Sequence, residues 1–201
     1  MIITSKKDLR LFLEADRIAL GRKFSLRNFF YVDYIWRWTK LLRTAEYYYN
    51  CRHDIFGRMY FCFILRRFRR LSTLLGLDIP LNVFGPGLSI AHGGKIVVNP
   101  HVKVGKNCRI HVDVVLGQGA KTIDVPTIGD NVHIGPGVKV LGDVVIGDNI
   151  VIAANAVVTK NFSNGNCTIG GVPAKIISRH SSVSPDQCLV ILGYELALER
   201  S

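Results

Sequence analysis

The sequence lacks a long apolar run and a paired cysteine motif. Its five cysteines are scattered, and their odd number favours a reducing compartment over a disulfide framework. The longest apolar run, residues 59–65, is bounded by Arg58 and Arg66 and is far too short to cross a bilayer. The first residues hold no apolar segment of signal-peptide length. These absences predict a cytoplasmic protein.

Acidic residues are also scarce, because 15 Asp and Glu stand against 26 Lys and Arg. The basic excess is concentrated in residues 1–78, which hold 16 basic and seven acidic residues, whereas residues 79–201 hold ten and eight. A basic region of this kind is suited to attract a membrane surface or another polyanion. No nucleic-acid-binding module is visible, so charge alone does not predict a nucleic-acid partner.

Residues 1–78 predict a basic α-helical region. Its helices are expected over residues 5–20, 26–49 and 55–75, with Ser5 and Asp8 forming the cap of the first. The third helix carries an apolar stripe that includes Ile64 and Phe68, and its arginines lie largely off that stripe. Packing of the stripe on neighbouring helices is one interpretation, and peripheral contact of the basic helix with anionic lipid is the other.

A six-residue repeat organises the chain from residue 90 to residue 177. Aliphatic residues occupy ten positions on one frame, and a second small or apolar side chain follows most of them four residues later, including Ala120. This period fits neither an α-helix nor a simple alternating strand, but it is typical of a parallel β-helix. We therefore predict a β-helix domain over 79–179 and a C-terminal tail over 180–201. The ten frame positions are Val98, Val104, Ile110, Leu116, Ile128, Ile134, Val140, Ile146, Ile152 and Val158.

The repeat has two irregularities. Ile90 and Ile96 stand two residues out of step with the later frame, and the segment GQGAKTIDVPTIG interrupts it. We interpret part of 118–127 as a loop that leaves the rod, where it is placed to form the wall of a site. An apolar segment in 183–201 either caps the rod or packs on a neighbour, and the sequence leaves both open.

Several motifs together carry a resemblance to a known family. The repeat, the segments IAHGG and GQG, the run IGPGVKVLGDVVIGDNIVIAANAVV and the closing GGVPAKII resemble the left-handed β-helix acyltransferases. Within them the chain is most similar to the serine acetyltransferase branch, including its polysaccharide O-acetyltransferases. The resemblance covers about residues 83–179. It implies a left-handed coil, a homotrimer and acetyl-CoA as co-substrate in a groove between two subunits.

The resemblance assigns the general base to His92. Attack of an alcohol on a thioester needs a base that removes the hydroxyl proton as the new bond forms, and imidazoles exchange protons near neutral pH. A thiolate leaves readily, so direct transfer needs no nucleophilic Ser/His/Asp or Cys/His set, and none is visible. Without the motif, His92 would be interpreted as a histidine at a coil corner.

The resemblance also implies residues that contact acetyl-CoA. Small side chains are what a narrow groove requires, although Gly and Ala in these places also let the coil turn. Lysines near the end of the rod are expected to meet the phosphates as point charges. The candidate residues are Gln118, Gly119, Gly135, Ala153, Ala154, Lys160 and Lys175.

The acceptor is less determined, because two family positions differ. Leu77, with Asp78 next to it, stands where the serine enzymes have an aspartate that orients the base, and Val125 stands where they have a second histidine. We therefore predict a sugar hydroxyl of a capsular or exopolysaccharide as acceptor, with L-serine as the alternative. The candidate acceptor-binding residues are His111, Asp113 and Asp124.

Two other classes of function were weighed against acetyl transfer. A zinc enzyme of the γ-carbonic anhydrase kind needs three convergent histidines, and the spacing of His92, His101 and His111 does not match, so no metal is predicted. A non-catalytic trimeric scaffold is the second class, since a fold does not guarantee a reaction. His92 and the closing GGVPAKII argue against it.

Overall fold

The computed structural model describes residues 1–22, 33–120, 123–181, 190 and 194–199. Its helices are α1 (Lys6–Ala19), α2 (Tyr34–Cys51) and α3 (Ile55–Leu75). The predicted bounds are confirmed for α3 and to one residue for α1. The predicted start of the second helix falls within 23–32, outside the described residues, and α2 as described begins at Tyr34.

Side-chain caps decide where each helix begins. Ser5 Oγ accepts the Asp8 N–H at 3.1 Å, as predicted, and Asp33 and Asp54 accept the N–H groups of Trp36 and Gly57. These bonds satisfy amide groups that have no partner inside a helix. The C-cap of α3 is Gly76 in the left-handed conformation, with φ of 71°, which glycine adopts without a steric penalty. The chain therefore turns there into the first strand.

Residues 77–120 and 123–178 form a left-handed parallel β-helix with three faces, and residues 194–199 are helical. Face 1 has the strand order β1-β3-β6-β9-β12, face 2 has β10-β7-β4, and face 3 has β14-β13-β11-β8-β5-β2. All pairs are parallel except β13 with β14. The strands are β1 (Leu77–Asp78), β2 (Ser89–Ile90), β3 (Ile96–Val98), β4 (Lys103–Val104), β5 (Arg109–Ile110), β6 (Val114–Gly117), β7 (Thr127–Ile128), β8 (His133–Ile134), β9 (Lys139–Leu141), β10 (Val145–Ile146), β11 (Val151–Ile152), β12 (Val157–Val158), β13 (Thr168–Gly170) and β14 (Lys175–Ser178).

The six-residue frame is confirmed as the core of the rod. All ten frame positions are buried, with exposed fractions of at most 3%, and they stack coil on coil in one continuous cluster. Burial of so many aliphatic side chains is the main favourable term that holds the coils together. Ala120 is exposed and Pro126 is buried instead, which agrees with the loop predicted within 118–127.

The register explains both irregularities of the repeat. Ile90 pairs with Ile110, and Val98 pairs with Leu116, so the first corner holds two more residues than the corner of the next coil. The interval from Leu116 to Ile128 is twelve residues and includes the predicted loop. Because the loop adds six residues, the frame stays in phase on both sides of it.

The boundary predicted at residue 78 is two residues too late. Leu77 and Asp78 pair with Ile96 and Val97 on face 1, so the β-helix begins directly after Gly76. The tail beyond 180 packs on its own chain where it is described: Val190 and Ala197 are buried, and Lys106 Nζ lies 4.9 Å from the centre of the Tyr194 ring. These contacts favour the capping interpretation of the tail.

A buried ionic cluster joins the helices to the rod. Arg43 forms ion pairs with Asp16 at 2.8 Å and with Glu46 at 3.0 Å, and all three side chains are almost fully buried. Arg43 also donates to the carbonyls of Phe84 and Gly85. On the other side of the joint, Asp16 Oδ1 accepts the N–H groups of residues 87 and 88. The cluster therefore fixes the helices on the first turn of the coil.

An asparagine ladder runs along the edge between faces 2 and 3. The side-chain amide of Asn107 donates to Asn131, that of Asn131 to Asn149, and that of Asn149 to Asn166, each at 2.9 Å. All four residues have φ between 51° and 58°, a region that asparagine tolerates better than most residues. The sequence shows these asparagines, but only the stacked coils bring their amides together.

Replacing Asn131 by alanine is expected to lower the free energy of unfolding by about 1–3 kcal/mol. The change removes two side-chain amide hydrogen bonds. It also places alanine in the left-handed region, which alanine tolerates less well than asparagine. Urea unfolding followed by circular dichroism measures the loss. Asn131→Gly is the matched control, because it loses the same bonds without the backbone strain. Unchanged stability in both variants would show that the ladder contributes nothing.

Candidate active site

His92 lies on the long corner of the first coil, where α3 meets the rod. Within this corner the Gly94 N–H donates to the Leu75 carbonyl, and the Ile96 N–H donates to the Gly76 carbonyl, both at 2.9 Å. A Cβ on Gly76 would lie 3.1 Å from the Gly94 carbonyl carbon, so the two segments touch. The two extra residues therefore rest against the end of α3 and leave the His92 side chain exposed.

Asp78 is the carboxylate that the fold offers near this corner. The Leu77 side chain is buried in the core, whereas Asp78 is exposed on face 1 and pairs with Val97, five residues after His92. Among the described residues, His92 has no hydrogen-bond partner. Asp78, and not the residue at position 77, is therefore the candidate carboxylate for orienting His92.

The corners between faces 3 and 1 stack above His92 and form what we name the front edge, residues 91–95, 111–113, 135–137 and 153–155. The register places Val112, Pro136, Ala154 and Gly171 in one column, and below it Gly94 lies against Val112, so His92 stands beside the foot of the column in the longer first corner. Successive coils rise by about 4.8 Å, so the column with its foot spans roughly 19 Å. The ledge it forms is narrow and flat because most of its side chains are small.

Coil stacking alone requires some of these small residues. A Cβ on Gly135 would lie 2.8 Å from the Ile152 carbonyl oxygen and 2.9 Å from the Ala154 amide nitrogen. Gly135 is buried, Ala153 is half-buried and Ala154 is exposed. Of the three, Ala154 is therefore the one whose side chain is most open to a ligand. Lys175 lies at the top of this edge, since it pairs with Gly170 and is exposed.

The other predicted cofactor residues lie across face 1, on what we name the back edge, residues 99–102, 118–126, 142–144 and 159–161. Gln118 and Gly119 follow β6, and Lys160 follows β12. Gln118 Nε2 donates to the Ile123 carbonyl at 2.9 Å and so holds the loop closed. Residues 121 and 122 lie outside the described part. One subunit thus divides the predicted groove residues between two edges.

The predicted acceptor residues are not brought together within one subunit. His111 stacks on His133, with ring centres 5.1 Å apart, and its register neighbour in the first coil is Ala91. Asp113 is on the front edge, where its carboxylate pairs with Lys139 at 3.1 Å. Asp124 is exposed in the loop of the back edge. These residues therefore do not form one pocket with His92 inside the subunit.

Other kinds of chemistry find little support in the described residues. Burial raises the pKa of the Cys108 thiol to about 12, which removes it as a nucleophile at neutral pH. Within the described ranges, no three His, Cys, Asp or Glu side chains converge in a way that would hold a metal ion. No helix in that part of the chain is long and apolar enough to span a bilayer.

Comparison with known proteins agrees with the architecture of the rod. Residues 126–160 match the family described as bacterial transferase hexapeptide (six repeats). Serine acetyltransferase of Helicobacter pylori is 34% identical over 135 residues, which cover 65% of this chain and 78% of that protein. Serine acetyltransferase of Synechococcus elongatus is 35% identical over 140 residues, or 68% of this chain. The matched part spans only 54% of the Synechococcus protein.

Two solved structures extend the likeness to the helical region. Serine acetyltransferase of Neisseria gonorrhoeae in complex with serine superposes with a TM-score of 0.66 at 27% identity, over 87% of this chain and 71% of that chain. Serine acetyltransferase of Brucella abortus in complex with coenzyme A gives a TM-score of 0.57 at 26% identity, over 86% and 67%.

Proposed function

Because this chain belongs to the serine acetyltransferase-like branch of the hexapeptide-repeat acyltransferases, we propose that it moves an acetyl group from acetyl-CoA to L-serine. The observation that carries the proposal is the exposure of His92 in the first coil, beside the small residues of the front edge. The relatives named as serine acetyltransferases support the acceptor, and the related structure with coenzyme A supports the donor.

The acceptor proposed here differs from the polysaccharide expected from the sequence. That expectation rested on two missing family residues, and the similar proteins give it no support, because they are named for serine. Leu77, which stands at the position of the family's aspartate, is buried in the core. The next residue, Asp78, lies on the exposed side of the same strand. The first of the two differences is therefore a one-residue shift of a carboxylate, whereas Val125 remains a true substitution.

The chemistry needs little from the protein beyond a base and a surface that holds the donor. The His92 imidazole accepts the proton of the serine hydroxyl while the hydroxyl oxygen attacks the thioester carbonyl carbon. The carbon–sulfur bond then breaks, and protonated His92 returns the proton to the departing sulfur. Asp78, exposed on the strand that pairs with β3, is the carboxylate proposed to orient the imidazole. Ala154 and the glycines above His92 leave room for a long, thin donor along the front edge.

A homotrimer is part of the proposal. The candidate groove residues lie on two edges of face 1, so a groove that uses both sets needs a second subunit. In three rods packed side by side, the front edge with His92 faces the back edge with Gln118 and Gly119 of a neighbour. Lys160 on the back edge and Lys175 on the front edge then approach the same end of the groove, where they supply positive charge for phosphates. The trimer is proposed to work in the cytoplasm.

Thiol release from acetyl-CoA tests the reaction and the acceptor together. L-serine is expected to give saturable release, and L-alanine, which keeps the amino acid but lacks the hydroxyl, is expected to give none. Faster acetylation of a glycan from a panel of oligosaccharides would overturn the serine acceptor and leave acetyl transfer intact. If no acceptor releases thiol and acetyl-CoA fails to protect the protein from heating, the scaffold interpretation replaces the enzyme.

A further inference from the structure

The outward face of α3 is divided into an apolar half and a basic half. In the first half, Ile55, Phe56, Met59 and Phe63 are exposed, with Phe56 reaching 81%. Residues 55, 59 and 63 are spaced four apart and so share one side of the helix. Arg66, Arg67 and Arg70 continue the same side towards the C-terminus. We name this surface, formed by these seven residues, the outer α3 face.

This apolar half is separate from the side that α3 uses for packing. The buried residues of α3 are Gly57, Ile64, Phe68 and Leu71, and they lie on the opposite side of the helix, against α2 and the rod. The exposed aromatic and aliphatic side chains therefore do not stabilise the subunit. A contiguous exposed patch of this kind marks an interaction surface.

The charge around the outer α3 face has a single sign. The sequence of α3 contains five arginines and no acidic residue. The acidic residue of α2, Glu46, is buried in its pair with Arg43, while Arg37 and Lys40 remain on the same helix. The nearest acidic side chains at the helix starts, Asp33 and Asp54, are paired with Arg22 and Arg52. An approaching partner therefore meets positive charge that the described acidic residues do not neutralise.

A cavity of about 360 Å³ lies between α2 and α3 at the basic half. Its floor is apolar, with Leu41, Leu71 and Leu74, and three arginines line it, Arg37, Arg67 and Arg70. None of these guanidinium groups has an ion-pair partner among the described residues, and Arg67 packs 5.4 Å from the centre of the Phe63 ring. Guanidinium groups over an apolar floor fit a phosphate ester that is attached to an acyl chain.

We propose that the outer α3 face docks the protein on a bilayer surface that contains anionic phospholipid. The arginines meet the headgroup phosphates, and Phe56, Met59 and Phe63 enter the boundary between headgroups and acyl chains. Charge argues against a second copy of the chain as the occupant, because two such faces would oppose arginine to arginine. A nucleic acid would leave the apolar half exposed. The inference concerns attachment and is independent of the proposed acetyl transfer.

Vesicle sedimentation with the full chain tests this proposal. The protein is expected to sediment with vesicles of phosphatidylcholine mixed with phosphatidylglycerol, to stay in solution with phosphatidylcholine alone, and to be released by added salt. The double variant Arg67→Glu/Arg70→Glu is expected to lose at least about tenfold in vesicle affinity. Lys103→Glu/Arg179→Glu is the matched control, because it reverses two exposed charges on the rod and is expected to keep most of the binding.

The apolar half has its own test in Phe56→Ser/Met59→Ser, which is expected to weaken binding to anionic vesicles by about tenfold or more. These residues are exposed and lie outside the proposed active site, so acetyl transfer and the unfolding midpoint should match those of the unchanged protein. Equal binding to neutral vesicles, unchanged binding by either α3 variant, or a change of oligomeric state in those variants would overturn the proposal. The last result would identify the face as a contact between copies of the chain.

Discussion

The His92→Ala variant is expected to transfer acetyl groups at least about a hundred times more slowly than the unchanged protein, which is a typical contribution of a general base. The loss should fall on kcat, because the imidazole acts on the proton in the transition state and contributes little to holding acetyl-CoA on the ledge. Steady-state thiol release with saturating L-serine measures the change.

His101→Ala is the matched control for this variant. His101 is also an exposed histidine at a corner of the first coil, but it lies on the back edge, after β3. Its loss is expected to leave kcat within about twofold of the unchanged value, since it is given no proton to move. Full activity in His92→Ala would contradict the assignment of the base, and a loss of activity supports it when the unfolding midpoint is unchanged.

The Arg43→Met variant is expected to lose about 3–5 kcal/mol of the free energy of unfolding. Methionine fills much of the volume of arginine, but it leaves Asp16 and Glu46 buried without a cation and leaves the carbonyls of Phe84 and Gly85 without a donor. Urea unfolding followed by circular dichroism measures the loss. The surface pair of Arg52 with Asp54 gives the control, since Arg52→Met is expected to leave the urea midpoint nearly unchanged.

The stability of Arg43→Met should also depend more steeply on pH. Burial raises the pKa of the Asp16 and Glu46 carboxyls, and the Arg43 guanidinium opposes that rise. Without Arg43, the pKa of both carboxyls in the folded state moves further above the unfolded values of about 4. A raised carboxyl pKa gives stability that is present below the unfolded pKa and is lost as the pH rises through the folded pKa. The variant should therefore approach the unchanged protein in acid, and an equal deficit at every pH would contradict this account.

The fold was largely predictable because hydrophobic burial imposes its own period on the sequence. Each coil needs aliphatic side chains at fixed intervals, so the spacing of Val98, Ile110 and Ile134 along the chain is enough to show the repeat. Helix α3 was equally visible, because its apolar stripe, which includes Ile64 and Phe68, repeats at helical spacing. Ala120 shows the limit of the count, because a loop residue can match the six-residue spacing by chance without being buried in a stacked coil.

The candidate site was only partly predictable from the sequence. His92 was found through its motif, but its placement against the end of α3 follows from the two extra residues in its corner, which the register of Ile90 and Val98 reveals. The division of Ala154 and Gln118 between two edges could not be predicted. Both residues hold the same position in the six-residue repeat, but the strands before them, β11 and β6, belong to different faces. The sequence favoured a sugar acceptor over L-serine partly because alignment at Leu77 does not show which side chain of the strand faces outward, whereas the similar proteins support the alternative, L-serine.

By itself the sequence determined the period of the rod and the helical region before it, because these depend on local spacing and composition, and its resemblance to a family supplied His92 as the candidate base. Only the tertiary structure decided that Asp16, Arg43 and Glu46 form one buried cluster and that the asparagines form a ladder. It also decided that the arginines of α3 lie beside exposed aromatic residues. Such features need side chains that are distant in sequence to meet, and the stacking of coils and the packing of helices bring them together.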